Sequence, residues 1–430
     1  MPFELDITQL DGSAAVRAVS KTLRSIDARL VDHGERVAFI ACELLDEGKL
    51  PLDEELLFLL SVFHDIGAYK TDEIDRMVQF ETQDVWNHAI YGYLFIKYMT
   101  PLKDAAEAIL YHHAACAFLE AVETNYREYA LLLHLADRID IISAFSDDAA
   151  VKRLTDNSQN LFCPKLIRLF LGCFRQRRIL EHLADDSYRE KNQQRLNSFR
   201  ITSKMALEYL KMIVFSIDFR SEHTVTHTIN TISIALHIAK HFGLDAIHQE
   251  RIYLGALLHD VGKIAIPVEI LEYPGRLSPA QMEIMRTHVT ETENLITGII
   301  PEEICQIAER HHEKLDGSGY PHGLTGEVLD FSQRIVAVAD IVSALGSRRS
   351  YKDPFPKEKT IAILREMQQK QLDPAICDYV CNNYDWIMID TDTHRAAVIQ
   401  RYQAMIEEFA VLKNRFDPTN DHLFDEEDSR

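Results

Sequence analysis

Phe63-His64-Asp65-Ile66-Gly67 and Leu258-His259-Asp260-Val261-Gly262 are one phrase written twice: an apolar residue, a histidine, an aspartate, an aliphatic residue and a glycine. Working outward from each copy, ionisable residues recur in the same order. Around the second stand His227, His259-Asp260, His288, His311-His312 and Asp340; around the first stand His33, His64-Asp65, His88, His112-His113 and Asp137. The spacings are 32, 29, 23 and 29 residues in the second set (227 to 259 to 288 to 311 to 340) and 31, 24, 24 and 25 in the first (33 to 64 to 88 to 112 to 137). Leu135-Ala136-Asp137 likewise parallels Val338-Ala339-Asp340. Matching residue types in matching order do not arise readily from 19 histidines, so the chain reads as two copies of one metal-binding domain.

Each copy reads as helical. Ile232, Leu236, Ala239 and Phe242 recur at three- and four-residue spacing and run into Gly243, a stop. Ser278-Pro279-Ala280-Gln281 has the cap, first-turn proline and returning amide of a helix start. Pro301-Glu302-Glu303 opens another helix with acids where the dipole favours them. No alternating strand pattern stands out. The fold class is therefore all-α, with two tandem helical domains at 1–205 and 206–410 and an acidic tail at 411–430 that frays. No Gly/Ser-rich or Pro-rich linker divides the halves, which predicts domains joined through helix and packed together.

Hydrophobic residues make up 47% and charged residues 26% of 430, an ordinary globular mixture. Seven cysteines, odd in number and without a CxxC pair, read as reduced core thiols of a cytoplasmic protein. The start, MPFELDITQL, lacks a secretory pattern. The longest apolar run, Tyr129 to Phe145, is broken by His134, Asp137, Arg138 and Asp140, so no membrane span is expected. A formal net charge of −21 disfavours long nucleic acid as a partner but admits a small anion at a metal-bearing pocket. A homo-oligomer is compatible with this composition.

Imidazole and carboxylate suit Fe, Mn and similar first-row ions. The candidate ligands sit at helical spacing with apolar residues: Ile304, Ala308 and His311 on one face, Val336, Asp340 and Ser343 on another. A polar side chain so placed costs several kcal/mol unless satisfied, and a metal satisfies it. Adjacent His259 and Asp260 would diverge by about 100° on a helix, letting Asp260 bridge two ions. Two such ions supply an activated water and neutralise charge growing on a phosphate, which phosphodiester hydrolysis needs. Asp260 and Lys263 are the catalytic candidates, Lys263 holding a phosphate oxygen or aiding the leaving group. His237, His241, His248 and His322 fall outside the pattern and read as ordinary core or surface residues.

These residues resemble the HD superfamily of metal-dependent phosphohydrolases. His311 to Pro321, HHEKLDGSGYP, is similar to the signature of its HD-GYP branch, HHExxDGxGYP, with each fixed position present, and Gly323-Leu324 and Gly326 continue the pattern. That resemblance covers roughly Lys211 to Met367; only the HD pattern extends to the first half. It implies hydrolysis of cyclic dinucleotides to linear 5′-phosphorylated dinucleotides with two divalent metal ions, Fe or Mn. It further implies His227, His259, Asp260 and Asp340 around one ion, and Asp260, His288, His311 and His312 around the other. The loop bearing Gly319 and Tyr320 would border the substrate, with Lys263, Arg349 and Lys352 on its phosphates. The glutamate through which some members add a third ion is replaced by His223, beside Glu222; Ser343 and Thr292 depart from the branch at a second aspartate and a glycine. An HD domain fused before an HD-GYP domain resembles the Vibrio phosphodiesterases of 3′3′-cGAMP, which places that substrate ahead of c-di-GMP. The alternatives are an HD-type enzyme on linear nucleotides and a scaffold that binds a cyclic dinucleotide without cutting it. The first copy lacks the GYP loop and carries Ala68 where the second carries Lys263; it is expected to stabilise or regulate the second.

Overall fold

A computed structural model of the chain describes residues 5–24, 32–68, 86–143, 162–176, 178–218, 222–271, 273–346 and 354–416. Arg349, Lys352 and the tail beyond Phe416 lie outside these, as do the side chains of Glu222 and His223. The described residues are helical, and the single β contact among them is an isolated bridge between Asp316 and Thr325.

Two compact units emerge. The N-terminal unit comprises Leu23–Ile201 with Met405–Arg430, and the C-terminal unit Thr202–Ala404 with Met1–Thr22. The expected boundaries, 1–205 and 206–410, ran each domain as one unbroken segment; here each chain end groups with the half distant in sequence. Contacts between segments distant in sequence account for this. In the C-terminal unit the backbone amides of Thr8 and Gln9 both donate to Glu250 Oε1 at 2.7 Å, and Ser203 Oγ donates to the Leu10 carbonyl at 2.8 Å. In the N-terminal unit Phe409 stacks on Tyr91 and Phe416 on Trp86, each at 4.2 Å.

The first 22 residues of the chain include most of α1 (Gly12–Arg24). The N-terminal unit continues with α2 (His33–Gly48), α3 (Glu54–Phe63), α4 (Trp86–Met99), α5 (Ala106–Leu110), α6 (Cys116–Ala121), α7 (Arg127–Ser143), α8 (Pro164–Gln176), α9 (Ile179–Ala184) and α10 (Tyr188–Ser198). The C-terminal unit has α11 (Ser203–Asp218), α12 (Glu222–His241), α13 (Ala246–Leu258), α14 (Val268–Leu271), α15 (Pro279–Ile296), α16 (Glu302–Glu309), α17 (Phe331–Gly346), α18 (Lys357–Met367) and most of α19 (Pro374–Arg415). Helix starts follow the sequence cues. Ser278 and Gln281 close a reciprocal capping box on α15, and Gly243 ends α12 at φ +70°.

The two units repeat one packing scheme. α2 lies on α3 and α7, α4 on α5, and α5 on α7; correspondingly, α12 lies on α13 and α17, α15 on α16, and α16 on α17. Apolar stripes drive it: Ile252, Leu254 and Leu257 of α13 are fully buried, each contributing about 1.5–3 kcal/mol. The glycine after each His-Asp pair is what brings the turn against the third-histidine helix. A Cβ on Gly67 would stand 2.2 Å from the His88 carbonyl oxygen, and one on Gly262 would stand 2.0 Å from that of His288.

Candidate metal centre and active site

The expectation that the ligands ride on helix faces holds for His227, His288 and Asp340 and needs correction for His259-Asp260 and His311-His312. α13 ends at Leu258 and α16 at Glu309; His259-Asp260 and His311-His312 occupy the turns immediately after them. The chain must turn there to bring Gly262 onto α15, so the histidines project from helix ends and borrow the last open carbonyls. His259 Nδ1 donates to Ala256 O at 2.8 Å and His311 Nδ1 to Ala308 O at 2.6 Å. On α15, His288 Nδ1 donates to Met285 O at 2.6 Å. His227 Nδ1 meets Ser343 Oγ at 2.9 Å, and that hydroxyl donates to the His227 carbonyl, leaving its lone pair for the ring N–H. Each of these four rings thereby turns its Nε2 inward, the nitrogen left for a metal.

The inward atoms converge. Asp260 Oδ2 lies 3.2 Å from His259 Nε2 and 3.6 Å from His227 Nε2, while Oδ1 lies 3.3 Å from His288 Nε2. Asp340 Oδ1 is 3.1 Å from His227 Nε2, and Asp340 Oδ2 is 3.7 Å from His312 Nδ1. His227, His259 and Asp260 could hold one ion, and His288, His311 and His312 another. Burial favours neutral rings; it pushes His312 down to about 4 and lowers His288. At His259 burial acts the same way, but the Asp260 and Asp340 carboxylates outweigh it and lift the ring to about 9. Asp260 is driven well below the usual carboxylate range, His259 and Lys263 overcoming burial.

The residues fit a metal. His259 Nε2 is buried without a hydrogen bond, and so are His64 Nε2, His112 Nε2 and both Asp65 carboxylate oxygens of the other copy. Leaving such atoms unsatisfied costs about 1–3 kcal/mol each, and a divalent ion satisfies those of them that face it.

Lys263 joins the site from the short 3₁₀ turn Val261–Ala265, its ammonium on the Asp260 carboxylate. The GYP loop packs on the cluster at His312. Tyr320 packs its ring 4.7 Å from His312 and its amide donates to the His312 carbonyl at 3.3 Å. A Cβ on Gly319 would come within 2.5 Å of Glu313 Cα; only glycine allows that approach. Glu313, buried, anchors the loop by accepting from the amides of His322, Gly323 and Leu324 at 2.7, 3.1 and 2.8 Å. Sequence reasoning missed that anchor, and also Arg286, whose guanidinium lies 5.0 Å from the Tyr320 ring centre. It also missed what Thr292 does: its hydroxyl accepts from Gly262 N at 3.0 Å and donates to His259 O at 3.1 Å, tying the His-Asp turn to α15.

The N-terminal copy assembles its full ligand set: His33, His64 and Asp65 at one position, and Asp65, His88, His112 and His113 at another. His64 and His112 again donate Nδ1 to carbonyls three residues back, at 2.7 and 2.5 Å. Its surroundings differ. His33 Nδ1 meets the Asp140 carboxylate at 2.7 Å, which Arg36 holds from the other side; burial would lower His33, but Asp137 and Asp140 raise it to about 10. With serine at that place in the other copy, burial prevails and His227 is lowered. Two histidines outside the pattern pack on aromatic rings: His241 stacks on Tyr379 at 3.6 Å and His237 meets Trp386 edge-on at 4.3 Å.

Comparison with known proteins agrees with this reading. Models of the HD domain match residues 30–142 and 209–376. The chain is 28% identical to the 3′3′-cGAMP-specific phosphodiesterase 1 of Vibrio cholerae over 85% of its own length and 90% of that protein's. It is 30% identical to a cyclic di-GMP phosphodiesterase of Thermotoga maritima, over 55% of this chain and 69% of that one. A solved cyclic GMP-AMP specific phosphodiesterase of V. cholerae shares the fold, with a TM-score of 0.54 at 18% identity across 91% of this chain and 98% of that one. Among the described residues no helix is long and apolar enough to cross a membrane. With two HD domains in tandem and a GYP loop on the second, the chain belongs to the HD-GYP family of metal-dependent HD-domain phosphodiesterases.

Proposed function

We propose that the C-terminal domain hydrolyses cyclic dinucleotides to linear dinucleotides with a 5′-phosphate, acting on 3′3′-cGAMP in preference to c-di-GMP. The observation that carries this is the GYP loop seated on a complete His/Asp cluster: Tyr320 against His312, with Lys263 at Asp260. The preference rests on similarity to a 3′3′-cGAMP-specific enzyme along nearly that protein's whole length. Two divalent ions, Fe or Mn, would be held by His227, His259, Asp260 and Asp340 and by Asp260, His288, His311 and His312. Bound there, they supply an activated water and a counter-charge for the phosphate.

The chain's own residues then have separable tasks. Asp260 turns one oxygen toward His259 and the other toward His288, and so could serve both ions. Lys263 offers a proton-rich point charge to a phosphate oxygen at the edge of the cluster. Tyr320 and Gly319 form the rim, where an aromatic face suits a purine. Arg349 and Lys352 are kept as phosphate contacts from the sequence. All seven cysteines are free thiols, which supports a reducing, cytoplasmic setting.

A panel of 3′3′-cGAMP, c-di-GMP and linear nucleotides, incubated with metal-reconstituted protein and resolved by chromatography, tests the proposal. Conversion of 3′3′-cGAMP to a linear dinucleotide, faster than c-di-GMP, supports it. Turnover of linear nucleotides alone would indicate a different HD-type hydrolase, and binding without turnover would indicate a scaffold.

A further inference from the structure

Both units present the same ligand set, but the helix carrying the last aspartate differs between them. Beside Asp340 on α17 stands Ile341; beside Asp137 on α7 stands Arg138. Arg138 is 1% exposed, and a buried guanidinium is stable only when a carboxylate compensates it. Its partner is a metal-ligand candidate: Arg138 Nε and Nη2 lie 3.0 and 2.8 Å from Asp137 Oδ2.

The same Nη2 lies 3.2 Å from His113 Nδ1. Arginine has donors and no acceptor, so His113 Nδ1 must be the bare, accepting nitrogen and the ring proton must sit on Nε2. That Nε2 is 2.9 Å from His88 Nε2; it donates there and occupies the lone pair His88 would give to an ion. In the other unit Asp340 Oδ2 stands 3.7 Å from His312 Nδ1, as Asp137 Oδ2 does from His113 Nδ1, so the two rings differ in the guanidinium that Arg138 brings to Nδ1 and Ile341 does not. There His288 Nε2 looks instead to Asp260 Oδ1 at 3.3 Å and His311 Nε2 at 3.5 Å.

The neighbouring position is undisturbed. His33 Nδ1 is held by Asp140 and His64 Nδ1 by Ser61 O, so both turn Nε2 inward. Asp65 Oδ2 lies 3.6 and 3.4 Å from those nitrogens, and Asp137 Oδ1 lies 3.2 Å from His33 Nε2. Asp137 thus splits its oxygens, one toward this position and one to Arg138.

We propose that the N-terminal domain binds a single divalent ion, through His33, His64, Asp65 and Asp137, and that Arg138 takes the electrostatic place of the second by turning His113 from a ligand into a hydrogen-bond donor. A first-row ion such as Mn(II) fits this oxygen-and-imidazole set. The proposal concerns metal number and holds whatever substrate the C-terminal domain cleaves.

The test is metal counting on full-length protein carrying His259→Ala and Asp260→Ala, which silence the C-terminal cluster. After reconstitution with Mn(II) and removal of excess, elemental analysis should give about one Mn per chain, with the paramagnetic resonance spectrum of an isolated ion. Adding His113→Ala should leave the content unchanged, whereas adding His64→Ala should remove the ion. Adding Arg138→Ile, the residue of the other unit, should raise it to about two with a spin-coupled spectrum. Two coupled ions while Arg138 is present, no bound ion at all, or loss of the ion in His113→Ala would each overturn the proposal. So would a normally folded Arg138→Ile protein that still holds one. If Arg138→Ile does not fold, the spectrum of the Arg138-containing protein and the His113→Ala count decide the question.

Discussion

Superimposed by sequence, the two HD domains of this chain agree at each candidate ligand and disagree around them. His33, His64, Asp65, His88, His112, His113 and Asp137 answer to His227, His259, Asp260, His288, His311, His312 and Asp340. Around them Ala68 answers to Lys263, Arg138 to Ile341, Asp140 to Ser343 and Gly92 to Thr292, and the GYP loop has no counterpart after His113. The ligand scaffold is set by helix ends and carbonyl partners that both copies share. Whether a phosphate can be held there depends on a cation at the cluster's edge and on a rim to seat the substrate, and among the described residues only the C-terminal copy has both. The N-terminal copy has spent its extra cation inside, where Arg138 lies against Asp137 instead of facing a substrate.

The comparison breaks most sharply at Asp260. Asp260→Ala removes the carboxylate that faces both halves of the cluster. We expect turnover to fall by about a thousandfold or more, as losing several kcal/mol of charge stabilisation would require, with helical content retained and C-terminal metal lost. Wild-type turnover by a metal-assayed mutant would remove the active site from this domain. His259→Ala should behave alike.

Lys263→Ala gives the C-terminal copy the residue of its partner and separates phosphate binding from metal binding. Losing one charge-assisted contact, worth about 1.5–3 kcal/mol, should lower kcat/KM roughly ten- to hundredfold with metal content unchanged. Loss of metal along with rate would mean that the ammonium on Asp260 organises the cluster and not the substrate.

How much of this was legible beforehand follows from range. The fold class and the duplication were readable because helix caps and ligand order are local or simply periodic. Ser278 and Gln281 close their box within one turn, and the His-Asp phrase repeats whole. Placement of the ligands at helix ends was not readable, because it depends on Gly262 reaching the His288 carbonyl, a contact between segments far apart in sequence. Arg138 was visible only as a charge interrupting an apolar run. Its partner His113 is 25 residues away, and nothing in the spacing says which of the two nitrogens it meets. The exchange of chain ends between units was hidden for the same reason: Glu250 captures the Thr8 and Gln9 amides across more than half the chain. Gly92 aligned with Thr292 is a signal that could have been read, since a hydroxyl at the turn contact predicts a bond to it.

That pair sharpens the comparison through stability. Thr292→Val keeps the shape but leaves Gly262 N without its acceptor in a buried turn. A cost of about 1–3 kcal/mol is expected, read as a lower denaturation midpoint at an unchanged slope in denaturant. Thr292→Gly, which copies the N-terminal domain, should cost at least as much, because it adds helix-interior flexibility of about 1 kcal/mol. Equal stability of the valine variant would show that the hydroxyl is incidental to the turn.

The smallest effect on chemistry is expected where the ligand set is complete but the substrate machinery is absent. His64→Ala with Asp65→Ala strips the N-terminal cluster of the two residues nearest its centre, both in contact with His33. If that cluster only stabilises its own domain or tunes the other, turnover of 3′3′-cGAMP should stay within about threefold of wild type, under 1 kcal/mol of barrier. Bound metal should drop by about one equivalent per chain. Melting is the quantity to watch. Removing the Asp65 carboxylate takes a counter-charge from the buried His33, His88 and His112 rings, and the ion is gone with it. The N-terminal domain should therefore unfold at lower temperature, with the C-terminal transition moved less. A folded double mutant that loses turnover as completely as Asp260→Ala would mean that the N-terminal cluster takes part in the chemistry.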